Sequence, residues 1–171
     1  MVRVARFEKV SLRRFVADWV ATFPQQTVEQ AVAAYERIRL PERATSGSAG
    51  YDLFAPVGFE LGAGEGIKIP TGLRVLIEEG WVLTIYPRSG LGFKYRFQLD
   101  NSVGVIDSDY ARSDNEGHIF MRMTNDSREG KTLIVPSGTA FAQGIFLPFG
   151  ITVDYHAQGV RNGGLGSTTG H

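Results

Sequence analysis

A segment in the middle of the chain, NSVGVIDSDY from Asn101 to Tyr110, combines side chains that can do chemistry. Asp107 follows the apolar, β-prone pair Val105 and Ile106, so we expect its carboxylate where a buried strand reaches the surface. A carboxylate with restricted solvation can orient and deprotonate a water molecule, and the ring of Tyr110 can stack on a sugar or a base. The alternative is an ordinary surface turn, because Asp and Ser favour turns through local hydrogen bonds.

Four further segments share a pattern of small residues around one or two polar or charged groups. They are AGYDL (49–53), PRSGLG (87–92), AQG (142–144) and RNGGLGSTTG (161–170). Arg88 and Ser89 end a predicted strand directly before Gly90, and this arrangement lets a guanidinium and backbone N–H groups converge on one anion. Taken alone, that segment favours an ordinary glycine turn with a solvated arginine.

In this order, the five segments resemble the five motifs of the trimeric dUTPase family, whose members split dUTP into dUMP and pyrophosphate. The resemblance runs from about Leu40 to His171, which is most of the chain. It implies an all-β fold of the dUTPase-like distorted jelly-roll (β-clip) type, here with an amino-terminal helical extension. It also implies a homotrimer with shared active sites, and a role in limiting uracil incorporation into DNA and supplying dUMP for thymidylate synthesis.

The resemblance assigns roles to single residues. The acid at Asp107 would hold and activate the water that attacks the α-phosphorus, and the ring of Tyr110 would stack under the deoxyribose and exclude a 2′-hydroxyl. The implied substrate-binding positions are Arg88, Ser89, Gly90, Asn101, Gly104, Tyr110, Gln143, Arg161, Gly164, Leu165, Gly166, Ser167 and Thr168. From the residues alone, Asn101 is equally well a turn residue. Gln143 can likewise be an ordinary strand residue whose side chain bonds to a neighbouring backbone.

The cofactor that the resemblance implies is Mg²⁺, bound mainly through the triphosphate of the substrate. Asp52 is the family's first-motif acid, and its implied contact with the metal is indirect, through water. Mg²⁺ favours phosphate oxygens and retained waters over all-protein cages, so the lack of a dense carboxylate cluster does not argue against it.

Composition restricts the other partners. Lys plus Arg and Asp plus Glu both number 18, so the formal net charge is zero. A chain without basic excess is not expected to bind long nucleic acid, whose affinity depends on many phosphate contacts. The chain has no cysteine and 3 His, which excludes disulfides and makes structural zinc improbable. No run of 18 uncharged apolar residues occurs, so we expect no membrane partner and a cytoplasmic location.

Periodicity divides the chain into three parts. Residues 1–40 are the helical extension, 41–160 the β jelly-roll core, and 161–171 a Gly-rich arm that the resemblance implies closes over the active site. A glycine-rich terminus can equally be a disordered tail.

Local signals predict the elements within these parts. Apolar residues at helical spacing after Ser11 predict an amphipathic helix, and Thr27 with Gln30 predicts a capping box at the start of a second. We expect these helices to lie against the β body or a neighbouring subunit. From position 67 onward the apolar period changes to two, which predicts short strands, with Glu79-Gly80 as a turn between two of them. The last alternation places Phe141, Gln143, Ile145 and Leu147 on one face of a strand.

Three departures from the family pattern bear on function. Residues 111–115 enlarge the loop after the tyrosine, and His118 beyond them is expected to be a loop histidine rather than a second base. Ala140 stands where an arginine is usual, and Leu165 where an aromatic ring usually covers uracil. Ala140 and Leu165 keep open the alternative of a dUTP-binding regulatory protein of this fold with little turnover. A dCTP deaminase, which shares the fold, is a second alternative; it would need a glutamate base beside the pyrimidine, whereas the best-matched acid here is Asp107.

Overall fold

The computed structural model describes residues 2–156 and 159. The chain begins with strand β1 (Ala5–Lys9) and helices α1 (Leu12–Thr22) and α2 (Val28–Glu36). The elements that follow are β2 (Glu42–Arg43), β3 (Tyr51–Phe54), β4 (Phe59–Leu61), β5 (Gly66–Pro70), β6 (Leu73–Ile77), β7 (Trp81–Pro87), α3 (Ser89–Tyr95), β8 (Phe97–Leu99), β9 (Gly104–Ile106), a 3₁₀ helix (Tyr110–Arg112), β10 (Phe120–Asn125), β11 (Leu133–Val135) and β12 (Ala140–Pro148).

The strands form several small antiparallel sheets. The largest has the order β2-β3-β12-β7-β9, and a three-stranded sheet has the order β5-β10-β8. Strand β11 pairs with β4, and β1 pairs with β6. Many short antiparallel strands arranged in more than one sheet are typical of jelly-roll architecture. The all-β, jelly-roll-like fold expected from the sequence is confirmed.

Both helix starts agree with the capping signals in the sequence. The Ser11 hydroxyl accepts a hydrogen bond from the backbone N–H of Arg14 at the start of α1. At the start of α2, Thr27 and Gln30 form the predicted capping box, in which each side chain accepts from the backbone N–H of the other. Such bonds satisfy donors that have no partner inside a helix.

The amino-terminal helices pack against the β body, which is one of the two placements that the sequence left open. Phe15 and Trp19 of α1 are completely buried, with ring centroids 5.0 Å apart. They share one hydrophobic core with Leu73 of β6 and Met123 of β10. Burying a side chain of this size stabilises the fold by about 1.5–3 kcal/mol. Strand β1 was not predicted from the sequence. It pairs with β6 and so holds the chain before α1 against the β body.

The alternation in β12 differs from the sequence pattern. The pattern placed Phe141 and Gln143 on one face of the strand. In the structure the pairing of β12 with β3 shifts register between Ala140 and Ala142, and Phe141 and Ala142 are both fully buried while Gln143 is half-buried. An extra residue of this kind, a β-bulge, re-aims the side chains that follow it.

Within the described part of the chain, no helix combines the length and apolar character needed to cross a lipid bilayer.

Candidate active site

Three of the five motifs meet at one end of the five-stranded sheet. Strand β12 lies between β3 and β7, and its Gln143 is opposite Asp52 on one side and Tyr86 on the other. Arg88 directly follows β7 and turns towards β3, so that its Nη1 lies 3.4 Å from Oδ2 of Asp52. We call Asp52, Arg88 and Gln143 the anion-binding cluster, after the phosphate contacts that the sequence predicts for Arg88 and Gln143.

The contacts inside this cluster leave it free to take a ligand. The Arg88 side chain is 45% exposed and that of Asp52 is 20% exposed. An ion pair with so much solvent contact stabilises the fold by at most about 1 kcal/mol. The Gln143 amide donates to the carbonyl oxygen of Pro87 at 3.5 Å, which is longer than an ordinary hydrogen bond. Redirecting these side chains towards an anion therefore costs little.

Ser89 and Gly90 lie beside the cluster at the start of α3, and both are exposed. The carbonyl oxygen of Arg88 accepts from the N–H of Gly92 at 2.9 Å, which fixes the direction in which the chain leaves β7. The predicted phosphate contacts Arg88, Ser89 and Gly90 are thus contiguous and open to solvent.

The hairpin predicted to bind uracil connects two sheets, since β8 pairs with β10 and β9 pairs with β7. Asn101 is exposed in the turn between them, and its carbonyl oxygen accepts from the N–H of Val103 at 2.7 Å. Gly104 is opposite Ile85, and a Cβ atom at Gly104 would lie 3.1 Å from that of Ile85. The close approach of β9 to β7 therefore depends on glycine at this position.

Asp107 follows β9 directly and is half-buried, as expected for an acid at the end of a strand. Its carbonyl oxygen accepts from the N–H of Tyr110 at 3.1 Å, which closes one turn between the two residues. Tyr110 is only 8% exposed, so a ligand reaches a small part of its ring. Its hydroxyl donates to the carbonyl oxygen of His118 at 2.8 Å and accepts from Nδ2 of Asn115 at 3.0 Å.

A single chain does not bring Asp107 to the anion-binding cluster. Ile106 is opposite Leu83 on the adjacent strand β7, so the next residue, Asp107, lies near Val82 at the start of β7. Arg88 follows the other end of that strand. Six positions along a strand correspond to about 20 Å. The predicted water-activating acid and the predicted phosphate-binding arginine are therefore separated by the length of β7.

The predicted carboxy-terminal contacts lie outside the described residues. They are Arg161, Gly164, Leu165, Gly166, Ser167 and Thr168.

A metal cage made by the protein is not present in residues 2–156 and 159, where no group of three or more His, Cys, Asp or Glu side chains is arranged to hold an ion. Asp52 supplies one partly exposed carboxylate next to Arg88, the predicted phosphate contact. This donor set fits Mg²⁺ whose ligands are mostly phosphate oxygens and waters.

His118 has a structural environment that the sequence did not indicate. It is completely buried, and its Nδ1 donates to Oδ2 of Asp18 in α1 at 2.6 Å. Its Nε2 accepts from the N–H of Gly72 at 2.8 Å, which assigns the neutral tautomer with the proton on Nδ1. Burial lowers the pKa of His118, although the bond to Asp18 partly opposes this effect. Both ring nitrogens are occupied, so the histidine does not serve as a second base.

Comparison with known sequences identifies the family. The sequence model of the dUTPase family matches residues 36–169. The deoxyuridine 5′-triphosphate nucleotidohydrolase of Lactococcus lactis subsp. lactis is 42% identical over 134 residues, which cover 77% of this chain and 88% of that protein. The corresponding protein of Tolumonas auensis is 41% identical over 140 residues, with 77% and 88% covered.

Solved structures agree with this result. A dUTPase from Streptococcus mutans is 40% identical with a TM-score of 0.58, over 66% of this chain and 88% of that one. A dUTPase from Staphylococcus aureus phage phi11, which coordinates a structural Mg(II) ion, has a TM-score of 0.62 over 92% of this chain and 98% of that one. Its identity of 19% shows the shared fold alone. The family-model match and the relatives at about 40% identity together show that this chain belongs to the dUTPase family.

Proposed function

We propose that the protein hydrolyses dUTP to dUMP and pyrophosphate. The observation that carries this proposal is the meeting of Asp52, Arg88 and Gln143, from three separate motifs, at one end of the five-stranded sheet. An exposed guanidinium paired with a carboxylate and followed by the exposed residues Ser89 and Gly90 suits a chain of phosphates. Relatives that are about 40% identical over most of the chain carry the name of this activity.

In the proposed reaction, Asp107 acts on a water molecule. Its carboxylate accepts a proton as the water oxygen bonds to the α-phosphorus, and the bond from that phosphorus to the bridging oxygen breaks with pyrophosphate as leaving group. A positioned general base contributes about 10²–10⁴-fold to the rate. Arg88 binds the negatively charged phosphate oxygens, and Gln143 hydrogen-bonds the α-phosphate or the attacking water.

The site is proposed to form between copies of the chain in a homotrimer. The separation of about 20 Å between Asp107 and Arg88 along β7 supports this arrangement, because both must contact the same nucleotide. In a cyclic assembly, Asp107 and Tyr110 of one copy face the anion-binding cluster of its neighbour, and each copy contributes both parts once. The segment 161–171, outside the described residues, is proposed to close over the bound nucleotide.

Mg²⁺ fits this site as a partner of the triphosphate, with Asp52 as the nearest protein carboxylate acting through water. When bound, it would neutralise phosphate charge during the displacement.

Selectivity for deoxyuridine is proposed to rest on two exclusions. The ring of Tyr110, in a residue that is 8% exposed, is proposed to stack under the deoxyribose and so to exclude a 2′-hydroxyl. The turn that carries Asn101 bonds the polar edge of uracil through its backbone, and a 5-methyl group is excluded there. Exclusion combined with unpaired polar groups discriminates far better than apolar contact alone.

The test is pyrophosphate release with Mg²⁺ from dUTP, with dCTP, dTTP and UTP measured in parallel. Rapid release from dUTP alone is expected. Release from none of the four would overturn the proposal. Tight dUTP binding without release would instead favour the nucleotide-binding regulator. Ala140 supports that alternative, because it stands in β12 where the family pattern has an arginine.

A further inference from the structure

Helix α1 is attached to the loop that follows Tyr110. We call residues 111–118 the post-tyrosine loop. The backbone N–H and hydroxyl of Ser11 donate to the two carboxylate oxygens of Glu116, both at 2.7 Å. One turn further along α1, Nη2 of Arg14 donates to the carbonyl oxygen of Asp114 at 3.0 Å. The amino-terminal end of the helix therefore binds two successive parts of this loop.

A third attachment lies deeper. Asp18, one turn beyond Arg14, accepts the Nδ1 proton of the completely buried His118. On the opposite side of the ring, Nε2 accepts from Gly72, which precedes β6. The ring is thus held between a helix and a strand with both nitrogens satisfied. Removing the acceptor at Asp18 would leave a buried N–H unpaired, and the desolvation of that group would no longer be compensated.

The same loop holds the hydroxyl of Tyr110. That hydroxyl donates to the backbone carbonyl of His118 and accepts from Asn115. Gly117, between them, has a φ of 71°, and a Cβ there would lie 2.6 Å from Cα of Ala111. The loop therefore closes tightly around the phenol, and a shift of His118 moves the group that anchors the ring.

From these contacts we infer that α1 is a positioning element for Tyr110. Through Ser11, Asp18 and the post-tyrosine loop, it fixes the tyrosine ring and so sets the discrimination between deoxyribose and ribose. This inference rests on the proposed function, in which the ring contacts the sugar. Asp18 and Ser11 touch no substrate in this scheme and act only through the loop.

The position of the loop enlargement supports the inference. Of the three attachments of α1, the one at Asp114 falls within residues 111–115, which the resemblance marks as additional, and those at Glu116 and His118 follow directly after them. A longer loop by itself gives the tyrosine more freedom, because loops are the more mobile parts of a fold. Docking of α1 removes that freedom.

The test compares Asp18→Ala with Asp18→Asn and measures kcat and KM for dUTP and UTP. The alanine variant is expected to lower the ratio of kcat/KM for dUTP to that for UTP by about tenfold, mainly through KM, because the tyrosine is no longer fixed. The asparagine variant keeps an oxygen that accepts the His118 proton, so it should restore most of the selectivity. Arg13→Ala, an exposed change on the same helix, is the matched control and should leave the ratio unchanged.

Hydrogen exchange of the backbone amides in residues 111–118 provides a readout that does not depend on turnover. Faster exchange in Asp18→Ala, together with unchanged dUTP-to-UTP selectivity, would overturn the inference, as would unchanged exchange. If Asp18→Ala does not fold, Ser11→Ala and Glu116→Gln remove only partly exposed contacts and test the same point. A wild-type protein that releases no pyrophosphate would overturn the proposed function instead. The ratio of the Kd values for dUMP and UMP would then replace the kinetic ratio in the same variants.

Discussion

Arg88 and Asp107 lie at opposite ends of strand β7, about 20 Å apart along the sheet. The pairing of Ile106 with Leu83 fixes this separation, since it carries Asp107 away from the end of β7 that Arg88 follows. A general base must come within hydrogen-bonding reach of the water it activates. If both residues act on one nucleotide, they belong to different copies of the chain.

Mixing two inactive variants tests this arrangement. Asp107→Asn and Arg88→Ala are each expected to abolish or strongly reduce pyrophosphate release as homomers. When the two are unfolded and refolded together in equal amounts, a site with both residues intact forms by chance in about one quarter of cases, because each residue comes from an independent copy. Recovered activity near that level is expected. Activity no greater than the sum of the separate variants would show that the site lies within one chain.

Replacing Asp107 alone separates binding from chemistry. Asp107→Asn should bind dUTP with an affinity close to that of the wild type while turnover falls by about 10²–10⁴-fold, since only the proton acceptor is lost. Calorimetry measures the binding, and pyrophosphate release measures the turnover. Asp109→Asn, an exposed acid two residues further on, is the control and should stay active. A normal rate in Asp107→Asn would remove this residue from the mechanism.

The buried face of α1 should be essential for folding. Trp19→Ala deletes a ring that is 1% exposed, and such changes lower the free energy of unfolding by about 3–5 kcal/mol. Leu12→Ala, at a residue of the same helix that is 42% exposed, should have a much smaller effect. Urea denaturation of the two variants gives the comparison. Similar stability of both would mean that the helix is only an appendage to the β body.

Acidification should destabilise the protein through His118. Burial holds the pKa of His118 below its ordinary value of about 6.5, with Asp18 partly opposing and with Arg14 and Glu116 as the other charges that act on the ring. Below that pH the imidazole takes up a proton in the unfolded chain but stays neutral in the folded chain. The contribution of His118 to stability is therefore fully present above about pH 6.5, and it falls as the pH decreases towards the pKa of the folded state.

Thermal unfolding between pH 7.5 and 5.5 measures this effect. The Tm of the wild type should fall, and His118→Gln should show a smaller fall across the same interval. His156→Gln, at an exposed position, should behave as the wild type does. Glu116 does not contribute in this interval. Burial raises its pKa, but hydrogen bonds from Ser11 and the charges of Arg14 and Arg74 outweigh this and lower it overall, so its share is lost only below about pH 4.5. Equal slopes in wild type and His118→Gln would contradict the assignment.

Local sequence signals were sufficient to predict the features that depend on neighbouring residues. The starts of α1 and α2 follow from capping bonds between residues three positions apart, at Ser11 and at Thr27 with Gln30. The turn at Glu79-Gly80 lies between β6 and β7 as predicted. The order of the five motifs along the chain was likewise sufficient to identify the family, because motif order can be read without knowledge of tertiary contacts.

Features that depend on distant parts of the chain could not be predicted in this way and became visible in the folded protein. The bulge before Ala142 reversed the predicted faces of the residues that follow it in β12, since register is set by the partner strand and not by the alternation of the strand itself. His118 binds Asp18, 100 residues earlier, and neither residue carries a local signal of that contact. The distance between Arg88 and Asp107 likewise follows from the register in which β9 pairs with β7. That register cannot be read from either segment alone.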